Sequence, residues 1–120
     1  MAEPRCPHDF DSFIAKFETN QSVQSSQTRF PLLYSHLDHE DPYLKLKTIW
    51  LDRASAQKYE TYPTADYLKR IGAGREQSMT NRKTCIVRFR VPDSDMYALD
   101  FSFRRWKGSW RLVSIRDHSL

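Results

Sequence analysis

The densest grouping of chemically capable side chains is His36-Leu37-Asp38-His39-Glu40-Asp41, which packs two imidazoles and three carboxylates into six residues. A strand would set His36 and Asp38 on one face and His39 on the other, and no third ligand stands at a recognisable metal spacing elsewhere. A solvated polar turn accounts for the group, and no metal site is expected. The two cysteines, Cys6 and Cys85, have no partner at C-x-x-C spacing, which argues against a zinc or thioredoxin-type site. In an oxidising compartment they would close a bridge that pins the N-terminal segment. In the cytosol they would be two free thiols, and the opening Met-Ala-Glu-Pro-Arg shows no signal peptide, although a trimmed mature chain would look the same. There is no Gly-x-Ser-x-Gly elbow, and Gly72-Ala73-Gly74 has no strand before it or helix after it. Neither nucleophilic catalysis nor a phosphate cradle is expected, and no cofactor.

Charge supplies the remaining candidates. The chain of 120 residues carries a net +4, and 12 of its 19 basic residues are Arg. Residues 1–60 hold seven Lys and Arg against nine Asp and Glu, whereas residues 61–120 hold twelve against six. Arg88, Arg90, Arg104 and Arg111 fall on corresponding faces of successive predicted strands, where like charges repel unless acids intervene or a partner supplies them. Asp100 alternates with Ala98, Ser102 and Arg104, which turns it away from Leu99 and Phe101 and towards a cross-strand ion pair with an Arg. Trp106 and Trp110 flank the same hairpin, either as core residues or as aromatic anchors of an interface. An acidic protein partner fits this face. Nucleic acid is disfavoured, because the sequence has no RNP motif, no zinc-finger spacing and no long Lys/Arg run.

These side chains need a scaffold, and the composition allows one core: 39% hydrophobic and 13% aromatic, with a mean hydropathy of −0.72 and no apolar run long enough to span a membrane. The organisation reads as a single domain with an N-terminal arm (1–8), helices (9–28), first strands (29–52), a helix and loop (53–82) and an antiparallel meander (83–120). Phe10, Phe13, Ile14 and Phe17 stripe one face of the first helix, with Asp9 or Asp11 as its cap. Residues 43–51 read as a strand with a bulge near Thr48, and residues 73–82 as a loop. From Lys83 onwards the alternation is strict: Cys85, Val87 and Phe89 share a face, then Leu99, Phe101 and Phe103, then Trp110 and Leu112 opposite Arg111, Val113 and Ile115. The expected class is α+β, with helices on one side of a strongly curved antiparallel sheet.

Phe10-x-x-Phe13-Ile14-x-x-Phe17, the step Arg29-Phe30-Pro31-Leu32, and the ending Phe101-x-Phe103…Gly108-x-Trp110-x-Leu112-Val113-x-Ile115 together resemble the nuclear-transport-factor-like, or cystatin-like, cone superfamily, in a bacterial envelope branch of unknown function. The resemblance spans Phe10 to Leu120. It implies a cone of bent strands around the first helix, often dimeric, with a pocket at the wide end, in the periplasm or cell envelope after removal of a signal, or else in the cytoplasm. In enzymes of this fold a carboxylate with a Tyr or His projects into the pocket, which makes Asp100, Asp52, Tyr97 and His36 the candidates. Two functions follow. One is a non-catalytic protein that binds a protein partner, such as an inhibitor or immunity protein neutralising a toxin. The other is a small-molecule or isomerase/dehydratase-like pocket lined by Tyr34, His36 and Tyr97.

Overall fold

A computed structural model of the chain describes residues 5–56, 62–80, 83–94 and 96–120. The first helix, α1 (His8–Thr19), starts after Pro7 with no side-chain cap. Asp9 and Asp11 instead lie inside its first turn, where their charge complements the positive end of the helix dipole. Asn20 then caps α2 (Gln21–Ser26), its Oδ1 accepting from the Ser22 and Val23 amides at 2.9 and 3.2 Å.

Strand β1 (Thr28–Leu37) pairs antiparallel with β2 (Leu46–Leu51) in unbroken register from Leu32 opposite Leu51 to Leu37 opposite Leu46. The bulge expected near Thr48 is therefore absent, and Trp50, 65% exposed, simply faces outward. Two short helices follow, α3 (Arg53–Ala56) and α4 (Ala65–Ile71). Thr64 caps α4 by accepting from the Tyr67 amide at 3.2 Å, and Gly72 ends it at φ 71°, a left-handed conformation that a side chain disfavours. The stretch expected to be a loop is a strand, β3 (Gly74–Thr80), paired along its whole length with β4 (Thr84–Arg90). Its sequence hides it because, as an edge strand, it buries only Ser78 and needs no apolar alternation.

Strands β5 (Ala98–Trp106) and β6 (Ser109–Asp117) complete a six-stranded sheet in the order β2-β1-β6-β5-β4-β3. Lys107 (φ 48°) and Gly108 (φ 81°) make the two-residue turn between them, and positive φ at both positions matches the twist of the flanking strands. The sheet is mixed rather than wholly antiparallel, since β1 and β6 run parallel. Hairpins fix strand direction only between neighbours in sequence. The β1–β6 seam joins two hairpin-built halves, and its direction is set by the tertiary fold.

The strict alternation expected for β6 also fails. Ser102 faces Ser114 while Phe103 faces Leu112, so Val113 is an extra residue, a bulge. Past it the faces exchange, and Ile115 joins Trp110 and Leu112 in the core instead of lying with Arg111.

The α1 stripe packs on the inner face of the sheet. Phe103 receives Phe10, Phe13 and Phe17 at ring distances of 5.5, 5.7 and 5.1 Å, and Trp110 stacks obliquely on Phe10 at 5.0 Å. A disulfide joins Cys6 to Cys85, both buried, and ties the N-terminal arm to β4 with Cα atoms 5.9 Å apart. Truncating Phe103 to Ala is expected to cost about 3–5 kcal/mol, since it empties the meeting point of three rings. Reducing the bridge releases a constraint spanning 79 residues, worth about 4 kcal/mol in the chain-entropy account. Urea unfolding with and without reductant measures the second effect, and an unchanged midpoint would show that the bridge does not form in solution.

Candidate functional site

The packed end of the cone leaves the other end open. There a cavity of about 940 Å³ lies between α2, α3, the start of α4 and the ends of β1, β5 and β6. Leu32, Leu112, Ile115 and Phe17 form its floor, and Tyr34, Tyr62, Tyr67 and Tyr97 line its sides. Each tyrosine has a distinct local reason for its place. Alternation along β1 turns Tyr34 inward beside Leu32. The Thr64 cap starts α4 so that Tyr67 leans into the opening, its ring 5.8 Å from that of Tyr97 at 65°. Tyr62 wedges against Phe17, Phe89 and Phe101 at 5.2, 5.7 and 4.7 Å.

Among the described residues, the cavity wall holds one carboxylate, Asp117, and one cation, Arg53. The Asp117 Oδ1 accepts from the Ser119 amide at 2.8 Å. Arg53 donates to the carbonyl and hydroxyl oxygens of Ser25 at 3.0 and 2.8 Å and stacks 4.7 Å over the Phe30 ring. Burial pushes the Tyr97 phenol up to about 12, helped by Tyr67 and by the Asp117 carboxylate. Burial likewise pushes Tyr62 well above the ordinary tyrosine value, with the Glu18 carboxylate adding to the effect. Both phenols therefore remain protonated donors at neutral pH.

The structure distributes the sequence candidates unevenly. Tyr34 and Tyr97 lie on the cavity wall, but His36 does not: its ring tilts against Tyr34 at 5.7 Å and its Nδ1 lies 3.1 Å from the Leu37 carbonyl. Asp52 accepts from the Ser55 amide at 2.7 Å at the start of α3, a capping role outside the cavity. Asp38 and Asp41 accept from the Glu40 and Tyr43 amides at 3.0 and 2.8 Å, as turn-forming aspartates do. Asp117, Arg53, Tyr62 and Tyr67 were missed by sequence reasoning. Tyr67 had a readable signal, three residues after a Thr cap. Asp117 had none, because the Val113 bulge alone turns it inward.

On the outer face of the sheet Asp100 makes the cross-strand ion pairs expected of it. Arg88 and Arg90 do not form an unpaired row with Arg104 and Arg111, because both converge on Asp100, 16% exposed, at 3.9 and 2.6 Å, where His118 Nε2 also stands 3.7 Å away. Arg104 and Arg111 sit directly opposite each other in the ladder, next to Trp106, which is 56% exposed. Trp110 is no surface anchor. It is 3% exposed because alternation sets it beside Leu112 on the core face, with its Nε1 donating to Asp9 at 3.2 Å and Arg105, ion-paired to Asp9, stacked over its ring.

Solved structures share this geometry. An ntf2-like protein from Bacteroides fragilis superposes with a TM-score of 0.69 at 21% identity, over 92% of this chain and 47% of that one. A cystatin-like protein from Bacteroides caccae gives 0.57 at 18% identity, over 96% and 79% of the two chains. An ntf2-like protein of unknown function from Shewanella baltica gives 0.53 at 12%, over 92% and 90%. This chain has the NTF2-like fold. It spans about half the length of the Bacteroides fragilis protein. No family model and no curated protein matches it. NTF2-like scaffolds host unrelated chemistries, so the shared fold assigns no activity to this cavity.

Two measurements check the site. The raised Tyr97 value means that the unfolded chain loses this proton first as pH rises through 10, so stability conferred by the protonated phenol declines between pH 10 and about 12. In an absorbance titration at 295 nm, Tyr97→Phe should remove a step near pH 12 and leave the steps near 10; loss of a step near 10 instead would mean that the phenol is not desolvated. Asp100→Asn strips the charge that holds Arg88 and Arg90 together, and chemical denaturation should show a loss of about 1–3 kcal/mol.

Proposed function

We propose that this protein is a non-catalytic binding protein that holds a small, largely apolar molecule in the tyrosine-lined cavity at the open end of its cone. The cavity itself carries this proposal: about 940 Å³ with an apolar floor beneath a wall of tyrosines and polar side chains, while the opposite end of the same interior is filled by Phe10, Phe103 and Trp110. Ligand sites offer apolar surface to the body of a ligand and polar groups that orient it, and the floor and wall of this cavity divide in that way. Binding is favoured over acid–base catalysis because Tyr97, on the cavity wall, holds its proton to about pH 12 and is no base near neutrality. The Cys6–Cys85 disulfide supports an oxidising location, which in a bacterium is the periplasm or envelope. No described helix is long and apolar enough to cross a membrane.

A saturable 1:1 fluorescence titration with the uncharged dye Nile red is the test. Wild-type protein should bind it, and Leu99→Trp, which places an indole in the cavity, should weaken binding at least about tenfold while the fold, followed by circular dichroism, persists. A folded wild-type protein that gives no saturable signal would remove the proposal.

A second function, recognition of an acidic protein partner as an inhibitor or immunity protein would perform it, is favoured by one observation. Arg104 and Arg111 face each other across the ladder with no acid in register, beside exposed Trp106. A carboxylate from a partner would relieve that like-charge contact. Immobilised protein should then retain a specific partner at low salt and release it at high salt, and Arg104→Glu with Arg111→Glu should abolish retention. Equal retention by the double variant would dismiss the Arg pair as the contact.

A further inference from the structure

The two ends of the cavity are not equivalent in charge. At the α2–α3 end the Arg53 guanidinium is already engaged, by two hydrogen bonds to Ser25 and by the face of Phe30. At the β5–β6 end Asp117 forms no ion pair among the described residues, and its Oδ1 accepts from the Ser119 amide at 2.8 Å. The strand partners of Asp117 are His36 on β1, which makes no ion pair with it, and the uncharged Leu99 on β5. Beside it stand the crossed rings of Tyr67 and Tyr97. The two phenols are neutral, and their faces carry the negative lobe of the aromatic quadrupole. A carboxylate beside aromatic faces in a partly desolvated cavity attracts an organic cation and repels an anion.

We infer that the Tyr67, Tyr97 and Asp117 end of the cavity is an ammonium site, so that the ligand carries an amine or quaternary ammonium group on an apolar body. This assignment rests on the cavity being a ligand site at all. The apolar body would lie against Leu112, Ile115 and Leu32, which a compact metal cation could not use. A single carboxylate also falls short of the oxygen set that a divalent cation requires. The protein's overall +4 charge works against cations at long range, so the preference is local and comes from Asp117 and the rings.

Calorimetric titration of the full chain with three probes of similar size tests it: benzyltrimethylammonium, its uncharged isostere neopentylbenzene, and benzoate. Wild-type protein should bind the ammonium probe at least about tenfold more tightly than the isostere, and benzoate most weakly. Asp117→Asn keeps the oxygen that accepts the Ser119 amide and should bring the affinities for the ammonium probe and its uncharged isostere within about twofold by weakening the ammonium probe alone. Tyr97→Phe keeps the ring and should preserve the preference. Equal binding of the ammonium probe and its isostere by wild-type protein, or tighter binding of benzoate, overturns the ammonium assignment while the Nile red result leaves the cavity reading in place. Failure of every probe and of Nile red on folded wild-type protein overturns both. Should the Asn variant not fold, the wild-type comparison alone decides.

Discussion

Strand β6 has one residue more than its partner can match: Phe103 lies opposite Leu112 and Ser102 opposite Ser114, which leaves Val113 unpaired. Side chains in a strand alternate, so one inserted residue exchanges the faces of everything beyond it. Without it, Ile115 and Asp117 would point outward with Arg111. With it, both turn toward the helices, Ile115 into the floor of the cavity and Asp117 onto its wall. The other neighbour of β6 accommodates the same disturbance. Pairing of β1 to β6 is irregular between Thr28 and Leu33, where Pro31 has no amide to give to a ladder, and then resumes with Tyr34 opposite Ile115 and His36 opposite Asp117. Two adjacent irregularities bend the middle of the sheet, and that bend separates a closed end from an open one.

The division of the interior follows from lengths. The apolar stripe of α1 runs from Phe10 to Phe17, about 10 Å at the helical rise, whereas the nine residues of β5 and of β6 reach about 30 Å. One short stripe cannot cover such strands. It covers the end where Phe103 and Trp110 meet it and where the disulfide anchors the arm, and the remaining inner face is left to α2, α3 and α4, which together bury few side chains. The residues there are tyrosines, whose hydroxyls suit a half-wetted wall better than a dry core.

This sets what a sequence can disclose. The Phe stripe, the Asn20 and Thr64 caps, the faces of β4 and β5 and the pairing of Asp100 with arginine all follow from local periodicity and were legible. β3 was not, because an edge strand reading Gly-Arg-Glu-Gln-Ser-Met-Thr buries only Ser78 fully and writes no apolar alternation into its composition. The parallel β1–β6 seam is a non-local pairing, and neither of its strands encodes it. The site suffered most. Tyr34 and Tyr97 could be placed by alternation, but alternation also assigned His36 to the wall and Ile115 to the outside, and it concealed Asp117. The errors over Ile115 and Asp117 trace to the bulge in β6, which no residue pattern in the strand announces. His36, by contrast, is in regular register with Asp117 and falls outside the cavity lining because alternation gives a face and not a position along the strand.

The same strand then explains how one small sheet presents two surfaces of opposite electrostatic character. Arg116 and Asp117 are neighbours in sequence, yet the alternation that resumes after the bulge sends them to opposite faces. Arg116 lies opposite Asp100 in the ladder on the side where Arg88 and Arg90 also gather. There a single carboxylate answers several guanidinium groups, and Arg104 and Arg111 remain outside its reach, so the outer face is left positive. Asp117 on the inner face is separated from those arginines by the thickness of the sheet, and water and salt at the exposed outer face damp their field further. A cation drawn to the cavity and an acidic surface drawn to the outer face would therefore not compete, and occupation of one leaves the charges that govern the other in place.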